Sequence, residues 1–205
     1  MAARAVVWDM DGTLLDSGVV LPAAFAATLR KLGGPEVTAA RVIRSYPLGT
    51  AEAILADLAG RPLSAAEMEM YYDELESVRA HPYSGVPATL AALRSAGQPV
   101  AVFTGASRRA AAALLAAAGL AVDVLVGGDE AGRAKPAPDG LILAAGQLGL
   151  APADLAYVGD APGDMGAARA AGSHAAAAAW GHLYDPAVPA DSVLPSPADA
   201  LSLLR

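Results

Sequence analysis

The chain has 205 residues, 55% of them hydrophobic and 17% charged, enough for one α/β core with a modest insertion and too apolar for disorder. It has no cysteine, which excludes disulfides, zinc–thiolate centres and cysteine nucleophiles, and its formal net charge of −7 argues against nucleic acid or an anionic membrane as partner. The lead Met1–Ala5 is too short for a signal peptide and no apolar run reaches membrane-spanning length, so the expectation is a soluble cytoplasmic protein.

In chain order, Val6-Val7-Trp8 predicts a buried strand running into the loop Asp9-Met10-Asp11-Gly12-Thr13. Two carboxylates one residue apart on a strand tip repel each other. They need a cation, a shared proton or a phosphate-positioning role. A helix starts near Val20, with Pro22 in its first turn, and stops at Gly33-Gly34. Helical patterns over 36–45 and 50–59 flank a Pro/Gly loop, Arg44 to Thr50. Ser64 and Glu67 form a capping box, and Met68, Tyr71, Tyr72, Leu75 and Val78 follow at helical spacing. No strand pattern is visible from 16 to 81, which predicts a small all-helical unit with an exit linker over His81–Pro87.

Beyond Pro87 helices and strands alternate. Helices are expected over 88–95, 107–118, 139–148, 162–171 and 197–204. Strands are expected over 99–103, 122–126, 155–158, 174–180 and 192–194. Ala175–Ala179 would pass for helix by propensity, but a Gly before it and the β-α alternation favour a strand. The alternation predicts a parallel, doubly wound sheet with the helical unit inserted above its loop edge. The boundaries expected are 1–15 and 82–205 for the core and 16–81 for the insertion.

Four groups of chemistry-bearing residues fall at strand tips or helix starts: Asp9 and Asp11 with Gly12; Thr104 with Gly105; Lys135; and Asp160 with Asp164. Singly, each has an ordinary explanation as a turn hydroxyl, a surface cation or a helix cap. Together they supply what phosphoryl transfer requires: a nucleophile, an acid/base, positive charge and hydrogen bonds for the phosphoryl oxygens. Oxygen ligands without thiols point to Mg²⁺ rather than zinc.

In these four stretches, 9–17, the strand ending in Thr104, 135–139 and 158–164, the sequence resembles the haloacid-dehalogenase superfamily of phosphatases, and the resemblance covers essentially the whole chain. It implies an α/β fold, a three-layer Rossmann-like parallel-sheet core with a helical cap after the first strand. By the same resemblance Asp9 is the nucleophile that becomes an aspartyl-phosphate, and Asp11 is the acid that protonates the leaving group and then activates water. Mg²⁺ is expected on Asp9, the Asp11 backbone carbonyl and Asp160, with Asp164 either joining the metal shell through water or orienting Lys135. Asp11, Gly12, Thr104, Gly105 and Lys135 are expected to hold the phosphate. Gly105 stands where relatives carry Asn or Ser, and Trp8 where they commonly carry Phe.

The second acid, Asp11, favours phosphorus over carbon as the centre attacked. The stretch after Ser17 has neither the His/Lys pair of the sugar-phosphate mutases nor the lysine of phosphonate hydrolysis. The chain looks most like the phosphoglycolate-phosphatase-like branch, acting on a small phosphorylated metabolite. A sugar-phosphate mutase and a non-catalytic phosphate-binding regulator are the alternatives. Cap residues Arg44, Tyr46, Leu48, Gly49 and Thr50 are the candidates for reading the leaving group, with Arg44 the cation that makes glycolate attractive. His81, His174 and His182 are expected to be structural or exposed. Monomer and homodimer both stay open.

Overall fold

The computed structural model describes residues 3–77 and 79–204; Val78, expected on the fourth helix, lies outside them. Strand β1 (Ala5–Trp8) is followed by β2 (Leu15–Asp16), then by four helices: α1 (Val20–Lys31), α2 (Ala39–Ser45), α3 (Ala51–Ala59) and α4 (Ala65–Ser77). The chain returns through β3 (His81–Pro82) into α5 (Val86–Ser95), β4 (Ala101–Phe103), α6 (Arg108–Ala117), β5 (Val124–Val126), α7 (Asp139–Leu148), β6 (Leu155–Gly159), α8 (Pro162–Ala171), β7 (His174–Ala178) and β8 (Ser192–Leu194).

Six strands form one sheet in the order β5-β4-β1-β6-β7-β8, every neighbouring pair parallel. The chain builds outward from β1 in one direction, then crosses back to build from β6 in the other. The switch point therefore lies between β1 and β6, where open α/β sheets bind ligands at the strands' carboxyl ends. Side-chain alternation fills two cores. Val6, Trp8, Val102 and Val158 face α5, α6 and the cap. Ala5, Val7, Phe103 and Tyr157 face α7 and α8. Both faces are covered, as a parallel sheet requires. The alanine run does form a strand: Ala175–Ala178 is buried between helices, and tertiary packing overrides its helical propensity.

The cap is helical, and its α4 opens on the expected capping box, with Ser64 N–H donating to Glu67 Oε2 at 2.8 Å and Glu67 N–H donating to Ser64 Oγ at 3.3 Å. Two expectations need correction. The stretch from 16 to 81 is not strand-free, because β2 and β3 pair antiparallel, Leu15 opposite Pro82 and Asp16 opposite His81. A two-residue strand has no period to read, so a sequence pattern cannot reveal it. The closing segment Pro197–Leu203 is a 3-10 helix rather than an α-helix. Among the described residues no helix is long and apolar enough to cross a membrane.

Candidate active site

Asp9 stands immediately past β1 and Asp160 immediately past β6, flanking the switch point; Asp164 projects from the first turn of α8. The three carboxylates are 5%, 4% and 1% exposed, and each offers an oxygen within 4.8 Å of the other two. Lys135 enters among them. Its Nζ donates to Asp9 Oδ1 at 2.6 Å and to Asp164 Oδ1 at 2.7 Å. Burial alone would pull the Lys135 pKa down, but Asp164 and Asp9 outweigh it and hold the ammonium above its ordinary value. One cation against three buried acids leaves an excess of negative charge. Burial, followed by the repulsion of Asp164, pushes Asp160 up to about 7, and burial raises Asp9 well above the usual range against the pull of Lys135. A closed set of hard oxygens with surplus negative charge fits a hard divalent cation.

The surrounding backbone leaves little freedom. Leu183 N–H donates to Asp160 Oδ2 at 2.8 Å, and Trp180 Nε1 donates to the Thr13 carbonyl at 2.9 Å. Gly12 adopts a φ of 83°, and a Cβ there would fall 2.3 Å from Asp160 Oδ2. Both oxygens of Asp164 are engaged, Oδ1 by Lys135 and by Tyr157 Oη at 3.2 Å, Oδ2 by Ala161 N–H at 2.9 Å. Gly166 on α8 makes room for the Lys135 loop, since a Cβ there would stand 2.5 Å from Pro136 Cβ.

Asp11 lies two residues on, with Oδ1 buried and without a hydrogen-bond partner. Burial pushes its pKa up to about 6; the neighbouring Ser17 hydroxyl and Lys135 restrain the shift. A carboxyl with that value can both give and take a proton near neutrality. Thr104 follows β4 and is buried; its Oγ1 accepts from Ala106 N–H at 3.2 Å.

Asp9, Asp11, Thr104, Gly105, Lys135 and Asp164 all line one cavity of about 690 Å³ between core and cap. From the cap it is lined by Leu21, Phe25, Ile43, Tyr46, Ile54 and Tyr71 among others. Of the cap residues singled out from sequence, Tyr46 and Gly49 reach this cavity, while Arg44, Leu48 and Thr50 are not among its lining residues. Arg44 and Leu48 are exposed. Sequence reasoning missed the contributions of Tyr157, Trp180 and Leu183. Trp180 and Gly181 just past a strand tip were the available signal, because Gly181 packs where a Cβ would stand 2.2 Å from Asp160 Cβ. His182 also lines the cavity, its Nδ1 3.3 Å from Tyr83 Oη, and burial lowers its pKa.

The doubly wound sheet thus carries three acids at its switch point with a lysine between them. Residues 3–172 match the model of the haloacid dehalogenase-like hydrolases, and the chain belongs to that family, among its phosphatases acting on phosphoric monoesters. It is 34% identical to an N-acetylmuramic acid 6-phosphate phosphatase of Pseudomonas aeruginosa, covering 100% of this chain and 96% of that one. A phosphoglycolate phosphatase of Xanthomonas campestris is 36% identical, over 87% of this chain and 84% of its own. The fold is shared with CbbY from Rhodobacter sphaeroides in complex with phosphate, at a TM-score of 0.81 and 23% identity, over 98% of this chain and 99% of that one.

Proposed function

We propose that the protein is a Mg²⁺-dependent phosphatase that hydrolyses a small-molecule phosphate monoester through an aspartyl-phosphate on Asp9. The observation that carries this reading is the placement of Asp9 beside Lys135, Asp164 and Asp160 in one buried cluster, with Asp11 opening on the same cavity. An Asp9 carboxylate oxygen attacks phosphorus, forming the acyl-phosphate bond as the bond to the leaving oxygen breaks. Asp11 gives its proton to that oxygen. As a carboxylate, Asp11 then takes a proton from the water that hydrolyses the acyl phosphate. Thr104 Oγ1 and Gly105 N–H hydrogen-bond the phosphoryl oxygens, and Lys135 adds positive charge beside them.

Asp9 and Asp160, with the Asp11 carbonyl, would hold the magnesium ion. When bound, that ion supplies charge that offsets the carboxylates and the phosphate dianion. Asp164 is placed to orient Lys135, whose Nζ donates to its Oδ1 at 2.7 Å. The relatives' names bring forward phosphoglycolate and a sugar 6-phosphate as candidate substrates.

Asp9→Asn should abolish phosphate release from a panel of phosphate esters with Mg²⁺ while circular dichroism and the melting temperature stay near wild type. Turnover retained in that variant would overturn the mechanism. Interconversion of sugar-phosphate isomers with little free phosphate would replace the phosphatase by a mutase.

A further inference from the structure

The cavity between core and cap has room for more than a phosphate. At about 690 Å³ it lies within the range of sites that enclose whole small molecules. A phosphoryl group bearing a two-carbon acid would leave most of it unfilled. Its cap side is apolar, built from Leu21, Phe25, Ile43, Ile54 and Tyr71, with Phe25 and Tyr71 rings 4.8 Å apart. Core residues Ala110 and Leu114 extend the same surface.

The charge of the lining points the same way. Among the described lining residues the charged side chains are Asp9, Asp11, Asp164, Asp185 and Lys135, and Lys135 is committed to Asp9 and Asp164. No arginine belongs to that lining. Arg41 is tied to Asp57, Arg108 to Glu130, Arg109 to Glu69 and Arg133 to Asp139. Metal and lysine serve the phosphoryl end. A carboxylate on the leaving group would be taken from water into an apolar, acid-rimmed chamber with no cation to receive it, which is costly. Tyr46, Tyr71 and His182 are polar residues of the wall beyond the phosphoryl end, and of these the Tyr46 Oη is buried without a hydrogen-bond partner.

From these observations, and resting on the phosphatase reading above, we infer that the substrate is the phosphate ester of an uncharged alcohol with a sizeable apolar face, carrying a hydrogen-bond acceptor for Tyr46, and that acidic leaving groups such as glycolate are disfavoured. Apolar surface on the alcohol gains binding against the cap, and Tyr46 sets its orientation.

The test is a matched substrate series with Mg²⁺, read as kcat/KM: phosphoglycolate against its neutral carboxamide, and ethyl phosphate against 2-phenylethyl phosphate. The carboxamide is expected to exceed phosphoglycolate by about tenfold or more, and the phenylethyl ester to exceed the ethyl ester by about tenfold. Ile43→Arg, which places a cation on the half-buried cap wall, should raise the ratio of phosphoglycolate to carboxamide. Tyr46→Phe should lower kcat/KM for the carboxamide by a larger factor than that for ethyl phosphate. Phosphoglycolate as the best ester in the series would overturn the inference and leave the phosphatase standing. No phosphate from any ester above the Asp9→Asn background would overturn both.

Discussion

The Tyr157 hydroxyl stands 2.8 Å from the Phe103 carbonyl and 3.2 Å from Asp164 Oδ1, the same oxygen that receives Lys135. A residue in the middle of the central sheet thus fixes the carboxylate that aims the lysine. Tyr157→Phe removes the one proton that the buried Phe103 carbonyl and the Asp164 carboxylate share. The expected cost is about 1–3 kcal/mol of stability by urea denaturation. On the proposed mechanism, in which Lys135 serves the reacting group rather than the leaving alcohol, kcat should fall several-fold while KM stays within about twofold in steady-state kinetics.

Gly12 offers a sharper probe of the carboxylate cluster. Gly12→Ala brings a methyl group to 2.3 Å from Asp160 Oδ2 at a positive φ, so either the loop or the carboxylate must move. Magnesium affinity measured by calorimetry should drop by about tenfold or more. The melting temperature should also fall, consistent with about 1–3 kcal/mol of backbone strain. Unchanged affinity would mean that Asp160 is not a ligand.

The tips of β1, β4 and β6 were legible in the sequence because each couples a short apolar run to a polar loop, a signal contained within ten residues. The chamber was not. Tyr46 belongs to it and Arg44 does not, though they are two residues apart on neighbouring turns, and only the packing of α2 against α1 and α3 decides which points inward. Leu183 escaped notice for a related reason, since its contribution to Asp160 is a backbone N–H and carries no residue-type signature. The strand β7 could be read despite its alanines because fold-level alternation constrains what a local propensity leaves open.

Acidity should stabilise the metal-free protein. Asp160 is pushed up to about 7 by burial and by Asp164, whereas in an unfolded chain it titrates near 4. Between those values the folded chain holds a proton that the unfolded chain has released, so stability falls as pH rises through the window. Metal-free protein should melt at a lower temperature at pH 8 than at pH 5.5. Magnesium should narrow the gap at pH 8, and Asp160→Asn should flatten the dependence. Melting temperatures that rise steadily from pH 5 to 8 in chelator would contradict the burial of uncompensated acid.

Asp11 should govern the alkaline limb of the rate profile. With its pKa raised to about 6 by burial, it is protonated, and able to serve the leaving oxygen, on the acid side of that value. The plot of kcat/KM against pH should decline above it. Asp11→Asn should remove this limb and reduce the rate by about 10²–10⁴. An unaltered limb in the variant would assign the proton to another group.

The β2–β3 ribbon has a consequence for how such an enzyme changes its diet. Leu15 faces Pro82 and Asp16 faces His81, and directly opposed residues in an antiparallel pair have Cα atoms about 5 Å apart. The insertion therefore leaves and rejoins the core at a single point, like a bead hung on one knot. Any other segment whose ends meet as a hairpin could hang there without moving Asp9, Thr104, Lys135 or Asp160. A segment exchanged at that knot would replace the cap wall of the chamber and leave Ala110 and Leu114 of the core wall in place.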